Sequence, residues 1–339
     1  MTTSQIPEEM NAVVLDSYSG VEALRVENRP IPKPGPNQVL VKVAASPINP
    51  SDLAFLEGSY GFKKKTPTVP GFEGSGTIVA VGSGMMGRYL MGKHVACVSQ
   101  GEGDGVWAEY VVTSTTLAFP LSSSVSLEEG AMSAVNPLTA MAFLDIAKAG
   151  KNKIIVQTAA ASALGQMVNR IFQNNGIQII NIVRREAQAD LLKKIGAEII
   201  LNITDTNFSK ELKETCRQHQ AHLAFDAVAG PLTLQVLNAM PHHSKVTVYG
   251  GLSFKAAQAD PGDLIFQGKS VDGFWLTSWM GKKNLLQSLQ LWQRAQKLLT
   301  TDLKSEVRER YPLFEAQKAV KEYQNQMTGG KVLLVPEME

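Results

Sequence analysis

The stretch Ile154–Glu186, IIVQTAAASALGQMVNRIFQNNGIQIINIVRRE, decides the fold. Ile154–Val156 is a short apolar run of strand character, and Ile177–Val183 is a second. Between them Gly165–Asn175 has the length and composition of a helix. Gly176 follows where a helix end favours a left-handed residue. Strand, helix and strand in succession make a βαβ unit, whose two strands lie parallel in one sheet. The alternation continues with a helix near Ala187–Ile195, closed by Gly196, and strands at Glu198–Asn202, His222–Ala227 and Lys245–Tyr249. Residues 137–274 are therefore expected to form a doubly wound α/β domain of Rossmann type. The first third is different: it is dense in Gly and Pro, with short β-rich runs such as Val39–Ala44 and Thr77–Val81. That pattern predicts a small all-β, barrel-like unit over residues 1–136. After Phe274 come two helical segments and a last strand, Lys331–Val335, so residues 275–339 are assigned to the same domain as the first third.

The turn after the first strand of the α/β region runs Gln157-Thr-Ala-Ala-Ala-Ser162-Ala163-Leu164-Gly165. A dinucleotide fingerprint needs glycines at the tight turn, at the pyrophosphate approach and at the helix–strand contact. Only Gly165 is present, at the last of these. Small residues elsewhere still allow close backbone approach, and a helix N-terminus attracts phosphate. The turn alone serves equally as a plain helix start. Arg184 and Arg185 shift the balance, because they follow the second strand where NAD-binding chains carry an acid for the ribose. Guanidinium pairs bidentately with phosphate, so the position favours the 2′-phosphate of NADP(H), although a basic strand end can also be merely solvated.

Composition removes several classes. With 339 residues there is room for two cores, and a net charge of +2 is too small to suggest nucleic acid as a partner. Two cysteines, Cys97 and Cys216, give no disulfide framework and fit a reducing compartment. The opening MTTSQIPEEM has neither the charge nor the apolar run of a targeting segment, and no apolar run approaches the ~20 residues of a membrane span. A cytoplasmic protein without membrane attachment is the expectation.

The segment Ala45–Gly76, ASPINPSDLAFLEGSYGFKKKTPTVPGFEGSG, carries the chemistry. With Val135-Asn136-Pro137-Leu-Thr139, Tyr249-Gly250-Gly251-Leu252 and Phe274-Trp275-Leu276, it resembles the zinc-free medium-chain dehydrogenases/reductases. Within them the likeness is to the mitochondrial-type trans-2-enoyl thioester reductases and, more broadly, the quinone oxidoreductase-like group. The resemblance runs from about Ala12 to Val335. It implies a GroES-like catalytic domain beside the Rossmann domain, NADPH as hydride donor and a homodimer. It further implies that Tyr60 is the proton donor. By the same resemblance Asn136, Ser162, Ala163, Leu164, Gly165, Arg184, Arg185, Tyr249, Gly250, Gly251, Leu252, Phe274, Trp275, Leu276 and Lys331 match cofactor contacts. Two positions depart from the family pattern: Ala163 stands where a glycine is usual, and Arg185-Glu186 replaces a basic–acidic–basic run.

Zinc-dependent relatives place a Cys in the first loop and a His in a Gly-His-Glu turn. This chain has Asn49 and Phe72 there, neither of them a zinc ligand, so no metal is expected. Hydride addition to a conjugated enoyl group builds negative charge on the carbonyl oxygen, which a hydrogen-bond or proton donor must meet. A phenol, with an ordinary pKa of about 10, is protonated at neutral pH and suits the task. Without the resemblance, a tyrosine between Gly58 and Gly61 would be read as turn packing. The expected substrate is a conjugated carbonyl, foremost a thioester of coenzyme A or an acyl carrier. A quinone or 2-alkenal reductase is the alternative, and an NADPH-binding protein with little catalysis is the second. Lys63-Lys64-Lys65 is expected to be solvated, Cys97 an inert buried thiol, and Asp226 a cap of the turn that follows it.

Overall fold

The computed structural model describes residues 6–99, 101 and 103–338. The leading MTTSQ, part of the segment expected to have no targeting character, lies outside them. The chain divides into two compact units. One takes in the residues up to Val135 together with 296–300 and 304–339; the other takes in 136–295 with 301–303.

In the first unit, β1 (Glu9–Leu15) and β2 (Leu24–Pro30) pair along their whole length as an antiparallel ribbon. Then come β3 (Gln38–Pro47), α1 (Pro50–Leu56), β4 (Glu73–Val81), α2 (Met85–Leu90), β5 (His94–Val98), β6 (Tyr110–Ser114), β7 (Ala118–Pro120) and α3 (Leu127–Ala131). Strand β3 is the hub, pairing with both β4 and β6, and it contains the expected Val39–Ala44 run. One face, Val39, Val41, Val43, Ala45 and Pro47, is wholly buried, while the other carries the exposed Gln38 and the half-buried Lys42 and Ala44. Trp107 is fully buried in this core, and its ring occupies the space beside Gly71. A Cβ on Gly71 would come within 2.3 Å of that ring, and the backbone there has φ +96°, so only glycine fits.

The second unit begins with α4 (Asn136–Ala149) and alternates β8 (Ile154–Gln157), α5 (Ala163–Gln173), β9 (Gln178–Val183), α6 (Glu186–Lys194), β10 (Ile199–Asn202), α7 (Phe208–Gln218), β11 (Leu223–Asp226), α8 (Pro231–Ala239), β12 (Lys245–Val248), α9 (Pro261–Phe266) and β13 (Ser270–Gly273). Its six strands are parallel in the order β10-β9-β8-β11-β12-β13, the doubly wound sheet expected. The order reverses between β8 and β11. Ile154, Val156, Ile180, Ile182 and Leu237 fill the core with less than 4% exposure each, and each such side chain contributes roughly 1.5–3 kcal/mol by leaving water. Strand β13 was not expected; its sequence SVDG has no apolar alternation because it is an exposed sheet edge.

Helices α10 (Leu276–Met280) and α11 (Leu285–Gln296) follow. Residues 275–295, placed with the catalytic domain from sequence, cluster with the second unit, where α10 packs on α4. The chain then returns to the first unit with β14 (Val307–Tyr311), α12 (Ala316–Asn325) and β15 (Lys331–Leu334). Strand β15 pairs with β3 and extends its sheet, whose path runs β14-β15-β3-β4-β5-β7.

Helix α5 starts two residues earlier than expected because the Ser162 hydroxyl caps it, accepting from the Gly165 N–H at 3.1 Å. Gly165 itself lies against the turn: a Cβ there would meet the Ala160 carbonyl oxygen at 2.3 Å. Gly165→Ala is therefore expected to force α5 off the turn and lower the unfolding free energy by about 1–3 kcal/mol in denaturant titrations. Unaltered stability would contradict this packing.

Candidate active site

Four segments of the second unit emerge from the carboxyl ends of its parallel strands, where open α/β sheets bind their ligands. The 158–165 turn leaves β8 and enters α5. Ser162, Ala163, Leu164 and Gly165 form the cap and first turn of that helix, a place where the helix dipole favours an anion, although the Ser162 and Gly165 N–H groups already donate to Ala159 and to the Ser162 hydroxyl, at 2.9 and 3.1 Å. Arg184 and Arg185 leave β9 with exposed side chains, and the Arg184 N–H donates to the Gln188 side chain at 3.0 Å. Tyr249, Gly250, Gly251 and Leu252 leave β12. The Tyr249 and Leu252 N–H groups donate to the Asp226 and Ala227 carbonyls, at 2.9 and 3.1 Å. Gly250 has the Ala227 carbonyl 2.8 Å from where a Cβ would stand, whereas Gly251 faces open space. Phe274, Trp275 and Leu276 leave β13, with Phe274 bonded back to Val248 and Trp275 43% exposed. The rings of Tyr249 and Phe274 both pack edge-on against Phe143, with centroids at 4.9 and 5.0 Å. Asn136, half-buried, opens α4 in this unit.

The first of these loops, the one after β8, is tied by Asp226 to the turn after β11. The Asp226 carboxylate is fully buried and accepts from the Thr158 and Thr233 hydroxyls at 2.7 and 2.6 Å, and from the Val228 and Ala229 N–H groups. It thus caps the following turn, as expected, and also ties that turn to the one after β8. Burial, with the Asp226 charge second, pushes the Tyr249 phenol well above its usual range.

Tyr60 sits in the first unit, just past α1, with its N–H donating to the Ala54 carbonyl at 3.1 Å. Its half-buried ring packs on Phe72 at 4.6 Å between centroids and edge-on to Phe62 at 5.2 Å. Phe55 extends this aromatic cluster to Tyr18. The residue standing where zinc relatives have a histidine is therefore the one that packs against the tyrosine.

Beside Phe72 is a buried polar network that sequence reasoning missed. Asn49, Asp52, Glu73 and Lys331 are each no more than 2% exposed. Asn49 is its centre. Its side-chain oxygen accepts from the Lys331 ammonium, its amide donates to Glu73 at 2.9 Å, and its backbone N–H donates to Asp52 at 2.7 Å. Glu73 also accepts from the N–H groups of Ala134 and Val135, at 3.1 and 2.8 Å. Lys331, expected among the cofactor contacts, thus has its ammonium turned inward onto Asn49. Burial lowers the Lys331 pKa and raises that of Glu73, while the attraction between the two charges opposes both shifts. An acid flanked by Gly and Phe, as Glu73 is, was the available signal. Among the described residues no group of three or more His, Cys, Asp or Glu side chains is placed to hold a metal ion.

The lysine run is not wholly solvated. Lys64 is 8% exposed and donates to the Gly103 carbonyl at 2.5 Å, because the loop folds its stem over the Phe55 ring. Lys63 lies over the Tyr18 ring. Cys97 is fully buried, and burial pushes its thiol up to about 12, which leaves it unreactive.

Asp52 yields a pH prediction. Burial lifts its carboxyl from the usual 3.8 to about 7, against the opposing Asn49 N–H bond. Between those values the folded chain holds a proton that the unfolded chain has released. The stability Asp52 contributes is thus present below pH 3.8 and lost as pH rises through about 7. Asp52→Asn, which keeps an oxygen for the Asn49 N–H, should gain Tm relative to the wild type between about pH 5 and about pH 8. A Tm difference independent of pH would contradict the burial of an ionisable Asp52.

Comparison with known proteins agrees with this architecture. Residues 35–123 match the alcohol dehydrogenase GroES-like domain, and residues 163–292 match the zinc-binding dehydrogenase family. The chain is 32% identical over 279 residues to the mitochondrial enoyl-[acyl-carrier-protein] reductase of Arabidopsis thaliana, covering 80% of this chain and 74% of that one. It is 30% identical over 290 residues to the human enzyme of the same name, covering 82% and 75%. A crystal structure from Mesorhizobium loti, assigned as an NADPH:quinone reductase, superposes with a TM-score of 0.91 at 38% identity, over 99% of this chain and 100% of that one. The chain belongs to the medium-chain dehydrogenase/reductase family of oxidoreductases.

Proposed function

We propose that the protein uses NADPH to reduce the C=C bond of a conjugated carbonyl, foremost a trans-2-enoyl thioester, with Tyr60 as proton donor and without zinc. The observation that carries the reading is the pairing of Tyr60 with Phe72 beside the Lys331-bound Asn49. The two positions a zinc would require hold a phenyl ring and an amide already engaged by a cation. Electrophilic assistance would then fall to a hydrogen-bond donor, and this reading gives that task to Tyr60.

The residues of the second unit fit NADPH. Close backbone approach at Gly165 and Gly250 gives a compact cradle, the α5 N-terminus suits the pyrophosphate, and Arg184 with Arg185 suits the 2′-phosphate. When bound, the cofactor supplies a hydride for the β-carbon. The Tyr60 hydroxyl has the complementary task of hydrogen-bonding the carbonyl oxygen as charge gathers there or delivering a proton to the α-carbon. Asn136, Tyr249–Leu252 and Phe274–Leu276 would line the cofactor, whereas Lys331 acts on Asn49.

Names of relatives support two acceptor classes. The mitochondrial enoyl reductases favour the thioester, as does the Gly58-Ser-Tyr60-Gly61 loop; the M. loti assignment favours a quinone. A homodimer is part of the proposal, supported by the exposed edge strand β13 and by Ile265 and Phe266 a few residues earlier in the chain, 70% and 81% exposed. So is a cytoplasmic location. Among the described residues no helix is long and apolar enough to cross a membrane.

Turnover of crotonyl-coenzyme A, a 2-alkenal and a quinone, compared side by side with NADPH, should favour the thioester in kcat/KM. Preference for the quinone selects the alternative, and turnover of none with intact NADPH binding selects a non-catalytic role. Tyr60→Phe should lower kcat by about a hundredfold or more with little change in NADPH affinity; an unchanged rate would remove Tyr60 from the chemistry. Replacing Arg184 and Arg185 together by Ala should reduce the NADPH-over-NADH preference in kcat/KM by on the order of tenfold, and an unaltered ratio would refute the 2′-phosphate assignment.

A further inference from the structure

Three amide side chains, Gln157, Asn169 and Asn181, lie wholly inside the second unit, with 1%, 0% and 1% exposure. They come from consecutive elements: the last residue of β8, the middle of α5 and the middle of β9. Gln157 Nε2 donates to the Gly165 carbonyl at 3.1 Å and to Asn181 Oδ1 at 2.7 Å. Asn169 Nδ2 donates to the same two oxygens, at 3.0 and 2.8 Å. Asn181 Nδ2 reaches the Ile179 and Ile199 carbonyls, at 3.3 and 3.2 Å, which brings in β10.

Buried amides cost stability unless bonded, and apolar side chains of similar volume would fill the same space. What the amides add is direction: two donors converge on one carbonyl in the first turn of α5. The turn they steady is not one its own backbone favours. Ala159 has φ +49°, a left-handed conformation that costs an alanine energy, so the surroundings must hold it. Asn181 lies on β9 three residues before Arg184, which directly follows that strand, so the network joins the turn to the strand that carries the basic pair.

We infer that Gln157, Asn169 and Asn181 are positioning residues for the cofactor. They fix the 158–165 turn relative to Arg184 and Arg185, so that the pyrophosphate and the 2′-phosphate of one NADPH molecule are met together. This rests on the NADP(H) reading above. The network does for the turn what the missing fingerprint glycines do elsewhere, through hydrogen bonds to a fixed carbonyl.

The test is binding of two ligands, NADPH and 2′-AMP, to the full chain. The second ligand needs the basic pair but not the turn. In the triple variant Gln157→Met, Asn169→Leu, Asn181→Leu, the Kd of NADPH should rise about tenfold, the loss expected for roughly one net hydrogen bond, while that of 2′-AMP stays within about twofold. An unchanged NADPH affinity overturns the inference, as does an equal loss for both ligands, which would mark a general structural role. If the triple variant does not fold, Gln157→Met alone, which leaves Asn169 and Asn181 bonded to each other, must show the same split in smaller measure. Wild-type protein that binds 2′-AMP no better than 5′-AMP overturns the NADP(H) reading and the inference with it. A clear wild-type preference for 2′-AMP over 5′-AMP, with NADPH affinity unchanged in every variant, overturns the inference alone.

Discussion

The Lys331 ammonium, buried and bonded to the Asn49 side chain, is the interaction on which the catalytic unit depends. It is an internal amine next to two buried carboxyl groups, Asp52 and Glu73, and the attraction between their charged forms opposes the cost of burying them. An amide is the right residue between them because it accepts from the ammonium and donates to the carboxylate at once. Each partner anchors a different element. Lys331 opens β15, Asn49 precedes α1, and Glu73 opens β4 while also gripping the backbone at Ala134 and Val135. Tyr60 follows from this, since α1 carries the Ala54 carbonyl that takes the Tyr60 N–H, and Phe72 adjoins Glu73. The position of the phenol is thus inherited from the charge network beneath it.

The second unit obeys a different constraint. Its sheet is apolar and closely packed, so polar groups that matter collect at the carboxyl ends of the strands or are paired inside. Asp226 shows the economy of the arrangement: one buried carboxylate takes two hydroxyls and two backbone N–H groups and braces two loops. In the proposed function the work divides accordingly. Fixed backbone and an arginine pair recognise the cofactor, and a phenol on an aromatic platform meets the developing charge.

The parallel sheet was legible in the sequence because β8 and β9 are runs rich in Ile and Val set between helix-length segments. Gly165 was legible because helix–turn contact admits no side chain there. The edge strand β13 and the strand β14, VRERY, were not, since exposed strands carry polar residues without apolar alternation. The buried network was also hidden. Lys331 and Asn49 are 282 residues apart, and no local pattern shows that a lysine far along the chain will turn inward. Lys64 gave the same false signal, being one of three adjacent cations yet folded beneath its loop. Tyr60 was reached only through resemblance to a family, because a tyrosine in a glycine turn has a plain packing explanation.

The central claim is that a phenol acts where relatives use a metal. The most direct measurement is the rate of NADPH oxidation with crotonyl-coenzyme A by protein stripped of metal with a chelator, with zinc content determined on the same sample. The account predicts full activity in zinc-free protein and no gain when zinc is added back. Activity that disappears with the metal and returns with zinc would contradict it.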